Sequence, residues 1–212
     1  MARTSDKELV KRLLDTAGTT YADEAGIRLK DQPMPLFQLL TLCMLASKPI
    51  DARIAVQAAR ELFGAGLRTP QSVLKADRAD MIKAFGRAHY VRYDESSATR
   101  LADIAAAVSE DYDGDLRKLA THDIKATRRL LKQFKGIGDT GADIFLREVQ
   151  DVWSWVRPYF DDRAAGAARQ LGLPSDPDAL GRLAPRHNAA LSAALVRVSL
   201  DEGLRDKVRQ QQ

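Results

Sequence analysis

The sequence predicts an all-α protein. Apolar residues recur at three- and four-residue spacing along nearly the whole chain, and alternating or β-branched segments are scarce. Capping residues, glycines and prolines fall between the periodic runs, where helices start and stop.

Ser5 is placed as the cap of a first helix carrying Leu9, Val10, Leu13 and Leu14 and ending at Gly18. The polar segment Thr19 to Gln32 leads to Pro33 and Pro35, which open a second helix through Phe37, Leu39, Leu40, Leu42, Cys43 and Leu45. That helix is apolar nearly all round, so it should lie inside the protein, and Pro49 stops it. Asp51 caps a helix bearing Ile54, Ala55, Ala58, Leu62 and Phe63, which Gly64 to Gly66 end. Thr69-Pro70 then opens a short helix by cap and N1 proline. After Phe85-Gly86 a polar loop is expected, then a long helix from about Val91 to Val108. Leu130, Leu131 and Phe134 close an amphipathic helix, Lys135-Gly136-Ile137-Gly138 interrupts it, and Ala142, Ile144, Phe145 and Val149 continue on another. An aromatic connector from Val152 to Phe160 is broken by Pro158, and a helix then runs from Asp161-Asp162 to Leu171-Gly172. A last helix covers about Asn188 to Leu200, and Val208 to Gln212 is expected to fray.

Composition bounds the chemistry. Hydrophobic residues are 45% and charged residues 29% of 212 positions, a globular balance, and no apolar run approaches the roughly 20 residues of a membrane-spanning helix. No membrane association is expected. The opening Met-Ala-Arg-Thr-Ser-Asp-Lys has neither the apolar core nor the cleavage site of a secretory signal, so a cytoplasmic location is expected. The single cysteine, Cys43, cannot by itself supply an intramolecular disulfide, a cysteine zinc site or an iron-sulfur cluster, and reads as a small buried hydrophobe. His89, His122 and His187 are dispersed, so no transition-metal site is expected. Lysine and arginine total 33 against 29 acids, a net charge of +4 that is compatible with a nucleic-acid partner. The bases cluster at Arg128, Arg129, Lys132 and Lys135, and again at Arg87, Arg92 and Arg100, where solvated helix faces are the ordinary explanation.

Two glycines flanking Ile137 allow a tight turn whose backbone amides all point outward, with a helix N-terminus just beyond. Unpaired amides and the positive helix end favour a phosphate, and Lys132 and Lys135 alongside would add counterion-releasing contacts. An ordinary connecting turn is the alternative. Of Asp161 and Asp162, one is a natural helix N-cap.

Phe134-Lys135-Gly136-Ile137-Gly138-Asp139-Thr140-Gly141-Ala142, followed by the aromatic connector, Phe160-Asp161-Asp162-Arg163 and Leu171-Gly172-Leu173, resembles the helix-hairpin-helix DNA glycosylase superfamily of endonuclease III. Pro35 to Leu40 with Ala46-Ser47-Lys48 resembles that family's core helix and following loop, and Lys83-Ala84-Phe85-Gly86 its turn before the long helix. Roughly residues 30 to 200 fit in order. The resemblance implies a two-lobed helical DNA glycosylase fold, with residues 1–30 plus 124–212 as a terminal lobe, residues 31–123 as a central lobe, and a DNA-binding cleft between them. It implies a phosphate held by the amides of Gly136 and Gly138, with Lys132, Lys135, Ile137 and Thr140 in the DNA-contacting hairpin. Lys48 and Arg87 become loop side chains that plug the duplex, or else solvated charges. A base flipped from the stack would meet Asp161, whose carboxylate stabilises positive charge developing on deoxyribose and orients water; Asp162 is then assigned to capping. A monovalent cation on the carbonyls of Lys135 to Gly138 is a further implication.

The departures from that family are as specific as the matches. Where bifunctional members carry the Schiff-base lysine, this chain has Thr140, so strand cleavage by β-elimination should be absent or weak. The four-cysteine cluster loop is missing, so no iron-sulfur cluster is expected. The leading expectation is a monofunctional DNA base-excision repair glycosylase acting on double-stranded DNA as a monomer. The alternatives are a non-catalytic helix-hairpin-helix DNA-binding protein and a structural helical module. Trp153, Trp155, Tyr90 and Tyr93 could stack on a base, but packing is the favoured use of such aromatics.

Overall fold

A computed structural model describes residues 4–210, with side chains from 6 to 209. It is all-helical. In chain order the α-helices are α1 Thr4–Ala17, α2 Tyr21–Glu24, α3 Pro33–Ala46, α4 Ala52–Gly64, α5 Pro70–Lys75, α6 Arg78–Arg87, α7 Asp94–Tyr112, α8 Ile124–Leu131, α9 Asp139–Val149, α10 Asp162–Gln170, α11 Pro177–Leu183, α12 Asn188–Leu200 and α13 Glu202–Gln210. Short 3-10 turns cover Leu116–Leu119 and Ser154–Val156.

The chain forms two compact units. One comprises Ala22–Phe145, the other Met1–Tyr21 with Leu146–Gln212. In the first, α3 is the centre: every residue from Pro35 to Leu45 is buried, and the helix packs against α4, α7 and the 3-10 turn Leu116–Leu119. Pro33 at its first position presets helical φ, and each fully buried leucine on it contributes roughly 1.5–3 kcal/mol over an exposed one. The Asp51 carboxylate caps α4 by accepting from the Arg53 amide at 2.8 Å. Thr69 and Ser72 form a reciprocal capping box on α5, each hydroxyl 3.1 Å from the other's backbone N. In the second unit α1, α10, α11, α12 and α13 bury Val10, Leu13, Ala164, Leu180, Leu191, Leu195 and Val208 in one core.

Several local expectations are corrected. The first helix begins at Thr4, so Ser5 lies within it. Gly86 lies inside α6 rather than in a turn, and Arg87 is that helix's last residue, not part of a loop. The break comes at Ala88 to Tyr93, where His89 adopts φ 57°. The long helix therefore starts at Asp94 and runs on to Tyr112, where Asp113 stops it in the left-handed region. Helix α8 closes at Leu131, leaving Phe134 in the turn. The segment expected to fray is helical to Gln210, because Val208 is wholly buried and gives α13 an apolar edge to dock; residues 211 and 212 lie outside the described residues.

Candidate functional site

The α8–α9 turn is built from its buried residues outward. Phe134 and Ile137 are buried, Phe134 packs its ring 5.6 Å from that of Tyr112, and the Ile137 amide donates to the Phe134 carbonyl at 3.0 Å. This last bond corrects the expectation that all the turn amides face outward. Gly136 takes φ +90°, and a Cβ there would stand 2.8 Å from Arg100 Cδ and 3.3 Å from Met44 Cγ. Both conformation and space therefore demand glycine. At Gly141 a Cβ would come 2.6 Å from Ser47 Oγ, so that glycine serves close packing of α9.

Gly138 is different. It is exposed, a Cβ there would meet nothing within 4 Å, and its φ is outside the positive region. Its carbonyl accepts the first α9 bond from Ala142 at 3.0 Å, whereas the amides of Gly138, Asp139 and Thr140 have no acceptor among the described residues. Three unpaired donors thus meet the positive end of an 11-residue helix at an open surface, an arrangement suited to an anion. Thr140 is exposed on the first turn of α9.

The basic cluster beside the turn is largely neutralised. Arg128 binds Asp143 through Nε at 3.0 Å and Nη2 at 3.4 Å, and Asp139 through Nη1 at 2.9 Å. Lys132 Nζ reaches the same Asp139 oxygen at 2.6 Å, and Lys135 Nζ sits 3.2 Å from Asp103. The hydrogen bond from Lys132 and then its charge, with a smaller contribution from Arg128, hold the Asp139 carboxyl below the usual carboxylate range. Lys125 and Arg129 form no ion pair among the described residues, and with Arg128, Lys132 and Gln133 they line an open concavity along α8. These pairs tie α8 to the start of α9, making the segment a hairpin.

Asp161 is the cap of α10. Its Oδ1 accepts from the Ala164 amide at 2.8 Å, and its Oδ2 pairs with Arg147 Nη1. The assignment of capping to Asp162 is therefore corrected: Asp162 is the first residue of the helix. The pair is deeply buried, with side-chain exposures of 6% for Arg147 and 7% for Asp161. Arg147 Nε is buried without a partner. Nearby, Gln150 clamps the connector: its Nε2 donates to the carbonyls of Arg147 and Tyr159, both at 3.0 Å, and its Oε1 accepts from the Tyr159 amide at 2.9 Å.

The remaining candidates divide. Lys48 lies after α3 with its Nζ 6.0 Å from the Tyr93 ring centroid, and Arg92 covers the same ring at 5.3 Å. Arg87 is held by Glu61 at 2.6 Å. Tyr90 is fully buried, its hydroxyl 3.3 Å from both the Leu45 carbonyl and Ser97, and burial raises its pKa, so it belongs to the core. Trp153 is buried and stacked 5.6 Å from Trp155.

Sequence reasoning missed Arg147, Asp139, Asp143 and Gln150. The available signal was three polar residues, Arg147, Glu148 and Gln150, directly following the apolar run Ile144-Phe145-Leu146 on α9. For the hairpin it was two aspartates on the helix facing the basic one.

No protein family model and no curated protein matches this chain. Among solved structures, a trapped covalent intermediate of endonuclease III with DNA is similar over 92% of this chain and 85% of that one, with a TM-score of 0.48 and 15% identity.

Proposed function

We propose that this chain is a helix-hairpin-helix DNA-binding protein of the glycosylase type, which grips a duplex phosphate at the α8–α9 turn. The observation that carries the reading is the exposed Gly138, whose amide lies with those of Asp139 and Thr140 at the open N-terminus of α9. The particular function is removal of a damaged or mismatched base by a monofunctional N-glycosylase. Water adds to C1′ of the deoxyribose, the glycosidic bond breaks with its electron pair on the base, and the base takes up a proton. Asp161 is the carboxylate for that step, and Thr140 leaves the enzyme without the amine that β-elimination requires. Asp161 can meet a sugar only if Arg147 releases its Oδ2.

That requirement favours a second reading, in which the protein binds DNA without releasing bases. Both oxygens of Asp161 are engaged, in a place nearly closed to solvent. Duplexes carrying single lesions, incubated with the protein and then developed with alkali, separate the two. Alkali-sensitive abasic sites support the glycosylase. Binding without abasic product selects the second reading, and absence of duplex binding contradicts both.

A further inference from the structure

Asp139 stands where a phosphate would be expected. It opens α9, its side chain is 65% exposed, and it follows Gly138 directly among the unpaired amides. One of its oxygens, Oδ1, accepts from two cations of α8 and the turn, Arg128 Nη1 at 2.9 Å and Lys132 Nζ at 2.6 Å. This is the contact pattern of a bound anion, supplied by the chain itself. The two cations are held differently. Arg128 is also fixed by Asp143, whereas Asp139 is the only carboxylate paired with Lys132 among the described residues. If Asp139 moves away, Arg128 stays in place and Lys132 is released to the concavity it shares with Lys125, Arg129 and Gln133.

We propose that Asp139 is an internal counterion of the hairpin: duplex DNA binds by displacing its carboxylate from Lys132 and Arg128, and this contact holds affinity below what the basic face could give. The inference rests on the duplex-binding reading above. The occupant it commits to is the phosphate backbone of a duplex, because the cations lie along one helix and run into the turn's open amides, a footprint matched by successive phosphates. The direction of the effect follows from charge. Removing Asp139 deletes a like charge beside the phosphate and leaves no ion pair to be broken before Lys132 meets it.

The test measures binding of a short fluorescent duplex to wild type, Asp139→Asn and Asp139→Ser over a salt series, with helical content and thermal unfolding recorded for each. Serine keeps a residue suited to a helix start should asparagine perturb it. Both variants are expected to bind roughly three- to tenfold tighter at low salt, with a log-log salt slope close to that of wild type, because Lys132 reaches the phosphate in either protein once the carboxylate is gone. Lys132→Gln should cancel most of that gain in the Asp139→Asn background and weaken wild type less, since there Lys132 is already occupied. A folded Asp139→Asn that binds no tighter than wild type overturns the proposal, as does a gain that survives Lys132→Gln. If neither wild type nor variants bind duplex, the duplex-binding reading fails and the inference falls with it; if wild type binds and the folded variants match its affinity, the counterion alone is overturned.

Discussion

Arg147 and Asp161 form a demanding contact, because two charges are taken out of water and each depends on the other. Replacing Arg147 with methionine leaves an uncompensated buried carboxylate, and a loss of about 3–5 kcal/mol is expected in chemical denaturation. A midpoint unchanged from wild type would show that the pair is not buried as described. Asp161→Asn strands the arginine in the same way, so any fall in base release by that variant must be read against its folded fraction. The glycines separate fold from binding. Gly136→Ala should destabilise by roughly 1–3 kcal/mol, since alanine at φ +90° is strained and its Cβ would clash with Arg100. Gly138→Ala should leave the melting temperature within about 2 °C. Equal melting losses in the two variants would refute this division of roles. At this scale the sequence shows the Gly-Ile-Gly turn and the Asp161-Asp162 pair, yet it does not show which glycine is open or which aspartate caps. Those answers depend on Arg100 and Met44, far from the turn along the chain, and on Arg147, which reads along the chain as one more charge at a helix end.

Helices α8 and α9 are held side by side by carboxylates of α9, which gives the hairpin a sign of pH dependence. Asp139 has a folded pKa below its unfolded one, so its stabilising contribution is full above the unfolded value and is lost as pH falls through the folded value, below about pH 4. Protection of the hairpin amides, taken against their intrinsic exchange at each pH, should fall across that window in wild type, and Asp139→Asn should lack that component. An identical acid response in both would show that the pairing does not hold the hairpin. The connector depends on Gln150: alanine there removes its bonds to the Tyr159 N–H and C=O, and about 1–3 kcal/mol should be lost, with faster exchange from residue 151 to 160. Exchange equal to wild type would contradict the clamp. Most helix starts were readable because their caps are local, as at Asp51 and Thr69. The α6–α7 boundary was not, because Ala88, Tyr90, Val91 and Tyr93 interleave with charges between Arg87 and Glu95 and suggest a helix running on from Val91, whereas His89 turns the chain. Helix α13 was hidden because Leu204 and Val208 are its only large apolar residues, and docking on α1 and α12 makes so charged a segment a stable helix.

For the molecule as a whole, the all-helical class was legible because helical spacing persists from end to end, and α3 was legible as a core because it is apolar on every face. Its Cys43 is buried in that core. The electrostatic character was not legible from the totals: a net charge of +4 and a basic α8 do not reveal that Arg128, Lys132 and Lys135 each meet a carboxylate. Surface pairs of this kind are weak, so each cation can exchange its carboxylate for another anion at small cost. If the chain releases bases, borohydride should trap no protein-DNA adduct, since Thr140 cannot form an imine; a trapped adduct would require another amine, such as Lys48 or Lys135, to reach the sugar. The phosphate site at the turn is decided by duplex affinity over a salt series for wild type and Gly138→Leu, a change whose Cβ meets nothing within 4 Å and which sets an apolar side chain beside the open amides. Wild type should bind with a steep dependence on salt, and the variant, with unchanged helical content, should lose at least tenfold. Equal affinity of the two proteins would contradict the phosphate site.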